Sequence, residues 1–499
     1  MYFPRYTPFS NEWISFGLFF LLILTLIGIS ELIKSKYKWP VERSRKFVHV
    51  IVGILISICP FIFTSPRQPV ILAVIFIIIN TTALKSKHFK AMHATERKTY
   101  GTIYFPIAFL ILSLFWWSRP VSLIIGTLLM TFADTAASTV GNMVKNPRRY
   151  RLWADYKTIE GSVAMFITSF IIVALITICL RPFIPFNFTL SHIPGLAGFV
   201  ALVAAMAESN SKDGSDNFSV PLFGSIAFDI YLTNLANGTI LVFMFWVIFS
   251  LIMFLLAYRL QALSGSGGVG AFITGIVIFG SGGLQWITPL IVFFVLSSLI
   301  SKVGKKQSKA LKALTWANYQ KSTRRDLLQV LANGGVATIV AVINFYNPID
   351  WLYIMYLGAI AAATADTWAT EIGFFSTNDP KHILTLKSVP KGTSGGVSLL
   401  GTLGTIIGAA LIGLSGLIFG LDWHYAILIT LAGFIGSLVD SLLGGSVQSR
   451  FRCQSCGTIT ENHIHCFKPT HHFAGILWID NDMVNLLCTL SGALIVINL

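Results

Sequence analysis

Apolar residues run along most of this chain in blocks of 15 to 25, separated by short polar or basic stretches. A helix needs roughly 20 such residues to cross a bilayer, so the pattern predicts an all-α polytopic membrane protein. The first block, residues 13–33, is too long for a signal-peptide core and has no small-residue cleavage site, so it reads as a retained span. The polar breaks predict 15 or 16 helices. Asn237-Gly238 reads as a turn, and the segment ahead of it, with Asp229 inside, is either a short span or a re-entrant one. The run Ser264-Gly265-Ser266-Gly267-Gly268 is the best linker, dividing the chain into domains of residues 1–260 and 261–499.

Composition supports the same class: 54% hydrophobic and 11% charged leaves no sizeable soluble domain. A net charge of +15 would point to nucleic acid in a soluble protein. Here the basic residues crowd short loops, six in residues 34–46 and five each in residues 85–98 and 145–157, while the loops near Arg67 and Arg119 carry one each. That asymmetry follows the positive-inside rule, puts the N-terminus outside and the basic loops in the cytoplasm, and removes the case for nucleic acid. Residues 302–325, with eight basic residues, read as cytoplasmic too. With no cleavable leader, the expected location is a prokaryotic plasma membrane.

The string from Ala133 to Gly141, with Asp134 second, returns 232 positions later from Ala365 to Gly373, with Asp366 second and five of nine residues identical. Carboxylates at membrane depth are costly and usually functional. Lys157 follows Asp134 by 23 residues and Lys391 follows Asp366 by 25; Glu208 follows Lys157 by 51 and Asp440 follows Lys391 by 49. These intervals predict a duplication of two modules, parallel by the charge count.

The polar residues of the first module sit at predicted cytoplasmic span ends: Arg45, Lys46, Asp134, Lys157, Thr158, Glu160, Gly161, Ser162, Glu208, Asp216 and Asn217. Phosphoryl transfer needs acids that hold Mg²⁺ and cations on the phosphates. Asp134, Glu208 and Asp216 can supply the first, and Lys157 with Arg45 or Lys46 the second. Gly161-Ser162 at a span start offers backbone N–H groups to a phosphate. The plainer readings are that basic residues at span ends are topological anchors and that Asp134 is a helix-packing acid.

The order Arg-Lys-x-x-His, Asp-x-x-Ala-x-x-x-Gly, Lys-Thr-x-Glu-Gly-Ser and Glu followed by Asp-Asn, over residues of about 40 to 220, resembles the polyprenol kinase family of dolichol, phytol and farnesol kinases. The resemblance implies that CTP, or another nucleoside triphosphate, phosphorylates an isoprenoid alcohol with Mg²⁺. It gives nucleotide and metal roles to Asp134, Lys157, Glu160, Glu208, Asp216 and Asn217. One departure is Asn142-Met143-Val144-Lys145, where many relatives carry a second glycine.

In the second module, Lys391-Gly392-Thr393-Ser394-Gly395-Gly396 is the closest thing in the chain to a phosphate-cradling loop. From about residue 264 onward, that loop, the Asp366 motif with Glu371, the Asp440 run and Asn481-Asp482-x-x-Asn485 resemble the phytyl-phosphate kinase family. The resemblance implies a second step, from prenyl monophosphate to diphosphate, with Mg²⁺ held among Asp366, Glu371, Asp440, Asn481 and Asp482. Together the halves read as a bifunctional kinase whose partners are the isoprenoid alcohol, its monophosphate, the nucleotide and membrane lipid. A cytidylyltransferase making a CDP-activated lipid, or a lipid transporter or flippase, competes with that reading. Separately, Cys453, Cys456, His465 and Cys466 have the ligand types of a zinc knuckle; an ordered polar loop with reduced thiols is the alternative.

Overall fold

Twelve helices among the described residues are long and apolar enough to cross a membrane. The computed structural model describes residues 3–86, 99–184, 188–310 and 324–499. Gly101–Phe115, a shorter apolar helix, and the helices Asp350–Gly373 and Asn481–Ile495 fall outside that measure, and the long helix Gly265–Ala310 breaks at Gly283, where φ is 66°. The twelve candidate spans among the described residues are fewer than the expected 15 or 16, because these three helices are too short or too polar to qualify and the broken helix counts once. Much of the two basic stretches 85–98 and 302–325 lies outside the described residues.

The chain separates into two compact units, Met1–Leu241 and Val242–Leu499. In the first, α1 (Glu12–Tyr37), α2 (Val41–Ile62), α3 (Arg67–Ser86) and α4 (Gly101–Phe115) are followed by α5 (Pro120–Met143), α6 (Ile159–Cys179), α7 (Ile193–Ser209) and α8 (Asp216–Ala236). The antiparallel hairpin β1 (Arg149–Arg151) and β2 (Tyr156–Thr158) joins α5 to α6. Inside α5 the turn Leu129–Asp134 is π-helical, a local widening often found at functional sites. Small residues let α5 and α8 close up: a Cβ on Gly126 would meet the Pro221 carbonyl oxygen at 2.5 Å.

α8 is one continuous helix of 21 residues, long enough for a span, and it ends at the Asn237-Gly238 turn, where Gly238 has φ 71°. Asp229 is bearable inside it because its carboxylate accepts from Trp116 Nε1 at 3.0 Å and from the Ser122 hydroxyl, with Arg119 at 3.8 Å. A buried acid so surrounded need not break the helix.

In the second unit α9 (Ile240–Arg259) lies against α10 (Gly265–Ala310), with Trp246 stacked on Phe279 at 4.5 Å. The run from Ser264 to Gly268 is a helix start rather than a linker: Ser264 Oγ accepts from Gly267 N at 3.1 Å, and Gly267 is glycine because a Cβ would strike the Arg325 carbonyl. α11 (Leu327–Tyr346), α13 (Leu399–Leu417), α14 (Trp423–Ser446) and α15 (Asn481–Ile495) surround α12 (Asp350–Gly373). Ala359, Ile360, Ala361, Ala362 and Ala363 of α12 are fully buried, and a Cβ on Gly358 would come within 2.4 Å of the Gly492 carbonyl oxygen. Close backbone packing along this stretch joins the bulky buried side chains of Tyr353, Tyr356 and Trp368 in the core. The short pair β3 (Lys381–His382) and β4 (Gly396–Val397) precedes α13, and β5 (Arg450–Cys453), β6 (Ile459–Thr460), β7 (Ile464–His465) and β8 (Lys468–Ala474) form a four-stranded antiparallel sheet, order β6-β5-β8-β7, inserted between α14 and α15.

Each unit contains the same local motif. The helix bearing the aspartate turns through a hairpin into a helix whose capping hydroxyl accepts from the N–H three residues on: Thr158 from Gly161 in α6, Ser398 from Gly401 in α13, both at 3.1 Å. In both, that glycine sits on the carbonyl three residues after the aspartate: a Cβ on Gly161 would meet Ala137 O at 2.9 Å, and one on Gly401 would meet Ala369 O at 2.8 Å.

Candidate functional sites

The π-helical turn inside α5, the end of α7, the start of α8 and the strand β2 bring five of the first unit's candidates together, Asp134, Glu208, Asp216, Asn217 and Lys157. Lys157 Nζ donates to Glu208 Oε1 at 2.6 Å and to Asp216 Oδ2 at 3.0 Å. Ser211 Oγ donates to the same Asp216 oxygen at 3.2 Å, and the Asn217 backbone N–H and Nδ2 donate to Asp216 Oδ1, both at 3.1 Å. Glu208 Oε2 is buried without a hydrogen-bond partner. Asp134 lies within electrostatic reach of Lys157, Glu208, Asp216 and Arg45, and its carboxylate enters none of the described hydrogen bonds. Burial alone would lower the Lys157 ammonium, but Asp216, Glu208 and Asp134 outweigh it and hold its pKa above the ordinary lysine value. The site therefore keeps a fixed cation among three acids.

The other candidates of this unit have local partners. Lys46 reaches Thr139 Oγ1 at 3.2 Å, one turn beyond Asp134, and Arg45 pairs with Glu42 at 3.3 Å while its Nε is buried and unpartnered. Thr158 is the helix cap, and Glu160 accepts from the Arg148 N–H, bracing the hairpin. Gly161 gives its N–H to that cap and its missing side chain to Ala137, and Ser162 bonds the Tyr150 hydroxyl at 2.6 Å. These residues shape the entry to α6 and leave Lys157 to face the acids.

In the second unit a cavity of about 880 Å³ is lined by Asp366, Lys391, residues 392–396, Asp440, Asn481 and Asp482. Gly392 and Gly395 have φ of 83° and 79°, and Gly395 packs so closely on the end of α14 that a Cβ would lie 2.5 Å from Gly445 Cα. Lys391 donates to the Ser376 carbonyl. Thr393 Oγ1 donates to Pro390 O at 2.7 Å, and Ser394 donates to Glu461. Glu371 lies apart from the cavity, accepting from Ser301 Oγ at 2.7 Å. The reason is helical phase: Asp366 faces the loop, and Glu371, five residues on, faces α10.

The shared motif also corrects the register of the duplication. Thr158 and Ser398 occupy the same place, so Lys157, one residue earlier, corresponds to Val397, not to Lys391. Lys391 belongs to a longer connection, since Ser398 lies 32 residues after Asp366 while Thr158 lies 24 after Asp134. The second cavity thus draws its cations from a different source than the first. Arg450, which sequence spacing does not mark, lines it and donates to Gly444 O and Gly445 O at 3.1 Å. Asp480 also lines it and caps α15 through Met483 N at 2.9 Å. Strand pairing in the inserted sheet, invisible to residue spacing, brings Glu461 there.

Cys453, Cys456, His465 and Cys466 converge, their ligand atoms all within 4.8 Å of one another.

Three relatives place the chain among known proteins. An uncharacterized membrane protein of Methanocaldococcus jannaschii is 33% identical over 245 residues, 49% of this chain and 88% of that protein. A phytol kinase of Synechocystis sp. is 28% identical over 212 residues, 42% of this chain and 88% of the enzyme. The chloroplastic protein VTE6 of Arabidopsis thaliana is 23% identical over 256 residues, 50% and 69% respectively. No solved structure matches the chain. Residues 248–493, almost the whole second unit, match the family described as integral membrane protein DUF92, and the chain belongs to that family.

Proposed function

We propose that this protein is a membrane kinase for isoprenoid alcohols, in which the first unit forms the monophosphate and the second carries it to the diphosphate. The observation that carries the reading is Lys157 held between Glu208 at the end of α7 and Asp216 at the start of α8, with Asp134 of the α5 π-turn within electrostatic reach. The likeness to a phytol kinase supports an isoprenoid acceptor. The acceptor's tail stays in the bilayer and its hydroxyl meets the nucleotide at the cytoplasmic face.

The residues fit a divalent cation. Hard cations take carboxylate and amide oxygens, and the orphaned Glu208 Oε2 beside Asp216 and Asn217 is such a donor set. Glu208, Asp216 and Asn217 would hold Mg²⁺ there, and the ion would supply neutralisation of charge on the transferred phosphoryl group. Lys157, kept protonated by its neighbours, moves its charge from the carboxylates to the phosphate oxygens when nucleotide arrives. Asp134 orients the acceptor hydroxyl and accepts its proton as the O–P bond forms and the nucleoside diphosphate leaves. In the second unit Asp366, Asp440 and Asp482 would hold the cation, and Lys391 with the residues 392–396 loop would take the monophosphate.

The test is formation of lipid phosphate by the purified protein in bilayers from radiolabelled phytol, farnesol or geranylgeraniol, with Mg²⁺ and CTP, ATP, UTP or GTP in turn. CTP is the expected donor. Lipid product carrying the nucleotide's γ-phosphate supports the reading. A CDP-linked lipid with release of diphosphate, or no nucleotide-dependent product with any donor, overturns it.

A further inference from the structure

The sheet inserted between α14 and α15 has almost no core of its own. Of its larger side chains Phe451 is buried at 3% exposure, whereas Ile464, Phe467 and Phe473 point outward at 68%, 102% and 47%. A segment this small cannot hold its strands by burial and needs a covalent or metal staple.

Two tight turns supply the material for one. The first is Cys453-Gln454-Ser455-Cys456-Gly457, closed by Gly457 N to Cys453 O at 3.0 Å with Gly457 at φ 70°, and Ser455 N points at Cys453 Sγ at 3.4 Å. The second is the β7–β8 hairpin, where His465 pairs with Lys468 across Cys466 and Phe467, both at positive φ. Cys466 Sγ lies 3.8 Å from Cys456 Sγ, and His465 Nδ1 lies 3.4 Å from Cys456 Sγ and 3.3 Å from Cys466 Sγ. Tetrahedral zinc with Zn–S of about 2.3 Å and Zn–N of about 2.05 Å separates its ligands by about 3.8 Å for S to S and about 3.6 Å for S to N. A disulfide would need about 2.05 Å between sulfurs and would leave two of the four donors idle. Three thiolates and an imidazole select zinc over the oxygen-seeking cations.

We infer that Cys453, Cys456, His465 and Cys466 bind one structural zinc ion, and that this ion fixes the inserted sheet as a wall of the second unit's cavity. The wall is in place because Thr458, Thr460, Asn462 and His463 line that cavity, and Glu461 accepts from Ser394 of the glycine-rich loop. Zinc binding stands independently of the phosphoryl-transfer reading.

Full-length protein purified in detergent without chelator is expected to hold one zinc per chain by elemental analysis, and its cobalt-exchanged form to show the visible absorption of tetrahedral thiolate coordination. Cys456→Ser with Cys466→Ser, and His465→Ala, should lose the metal and open residues 450–474 to limited proteolysis, while His465→Cys should keep one equivalent. Asp366→Asn should keep its zinc whether or not any lipid is phosphorylated. Sub-stoichiometric metal in the unaltered protein, a disulfide between Cys456 and Cys466 recovered by mass spectrometry, or equal metal content in His465→Ala would overturn the inference.

Discussion

Replacing Lys157 with methionine leaves Glu208 and Asp216, with side chains 6% and 12% exposed, facing each other without their shared cation. Removing one partner of a buried ion pair costs about 3–5 kcal/mol, because the remaining charge stays desolvated. For a unit of this size that corresponds to a fall of roughly 6–20 °C in the unfolding midpoint. If the loss comes from the stranded carboxylates, Glu208→Gln in the Lys157→Met background must recover part of it, whereas Glu208→Gln alone destabilises. The expected coupling is about 1–3 kcal/mol. The assay is thermal unfolding of the four proteins of the cycle in one detergent at one scan rate, with lipid-phosphate formation measured in parallel. Activity should fall by about 10²–10³-fold in Lys157→Met and should not return in the double variant, since the cation that meets the phosphates is still missing. Effects that add to within about 0.5 kcal/mol would refute the geometry described for this cluster.

Other expectations follow from the same contacts. Thr158→Ala removes the α6 cap and should cost about 1 kcal/mol while leaving first-step turnover within a few-fold of the parent, read by unfolding and by lipid-phosphate yield. Gly358→Val drives a side chain onto the Gly492 carbonyl, 2.4 Å from the Cβ position, and should destabilise the second unit by about 1–3 kcal/mol or more, lowering its unfolding midpoint. The folded-state pKa of Lys157 is raised, so its contribution is complete below the unfolded lysine value of about 10.4 and is lost only as pH rises through the folded value. First-step activity should therefore show no alkaline limb from this group between pH 7 and 10, and such a limb that vanished in Lys157→Arg would contradict the assignment.

The helical class and the duplicated aspartate are legible in the sequence because both are written in contiguous residues: apolar runs of spanning length and one nine-residue frame repeated. The cysteine cluster is legible for the same reason, since each pair of ligands sits within a single tight turn. What spacing misreads is register across loops. Lys157 and Lys391 lie at similar distances from their aspartates, yet the cap positions Thr158 and Ser398 show that an extra stretch of connection precedes Ser398. Thr158, Glu160 and Gly161 look like phosphate ligands in sequence, and the structure spends their polar groups on a cap and a hairpin because a helix entering at this angle needs both. Glu371 shares a motif with Asp366 but not a helix face. Asp229 looks like a break in a span until Trp116, Ser122 and Arg119 are brought to it from far away in the chain.

The most direct test of the two-step account is a comparison of products from Asp134→Asn and Asp366→Asn in bilayers supplied with radiolabelled isoprenoid alcohol, CTP and Mg²⁺. No phosphorylated lipid is expected from Asp134→Asn, and monophosphate should accumulate without diphosphate from Asp366→Asn, with Asp134→Asn still converting added monophosphate. Diphosphate formed at the parent rate by Asp366→Asn, or monophosphate formed at the parent rate by Asp134→Asn, would contradict it.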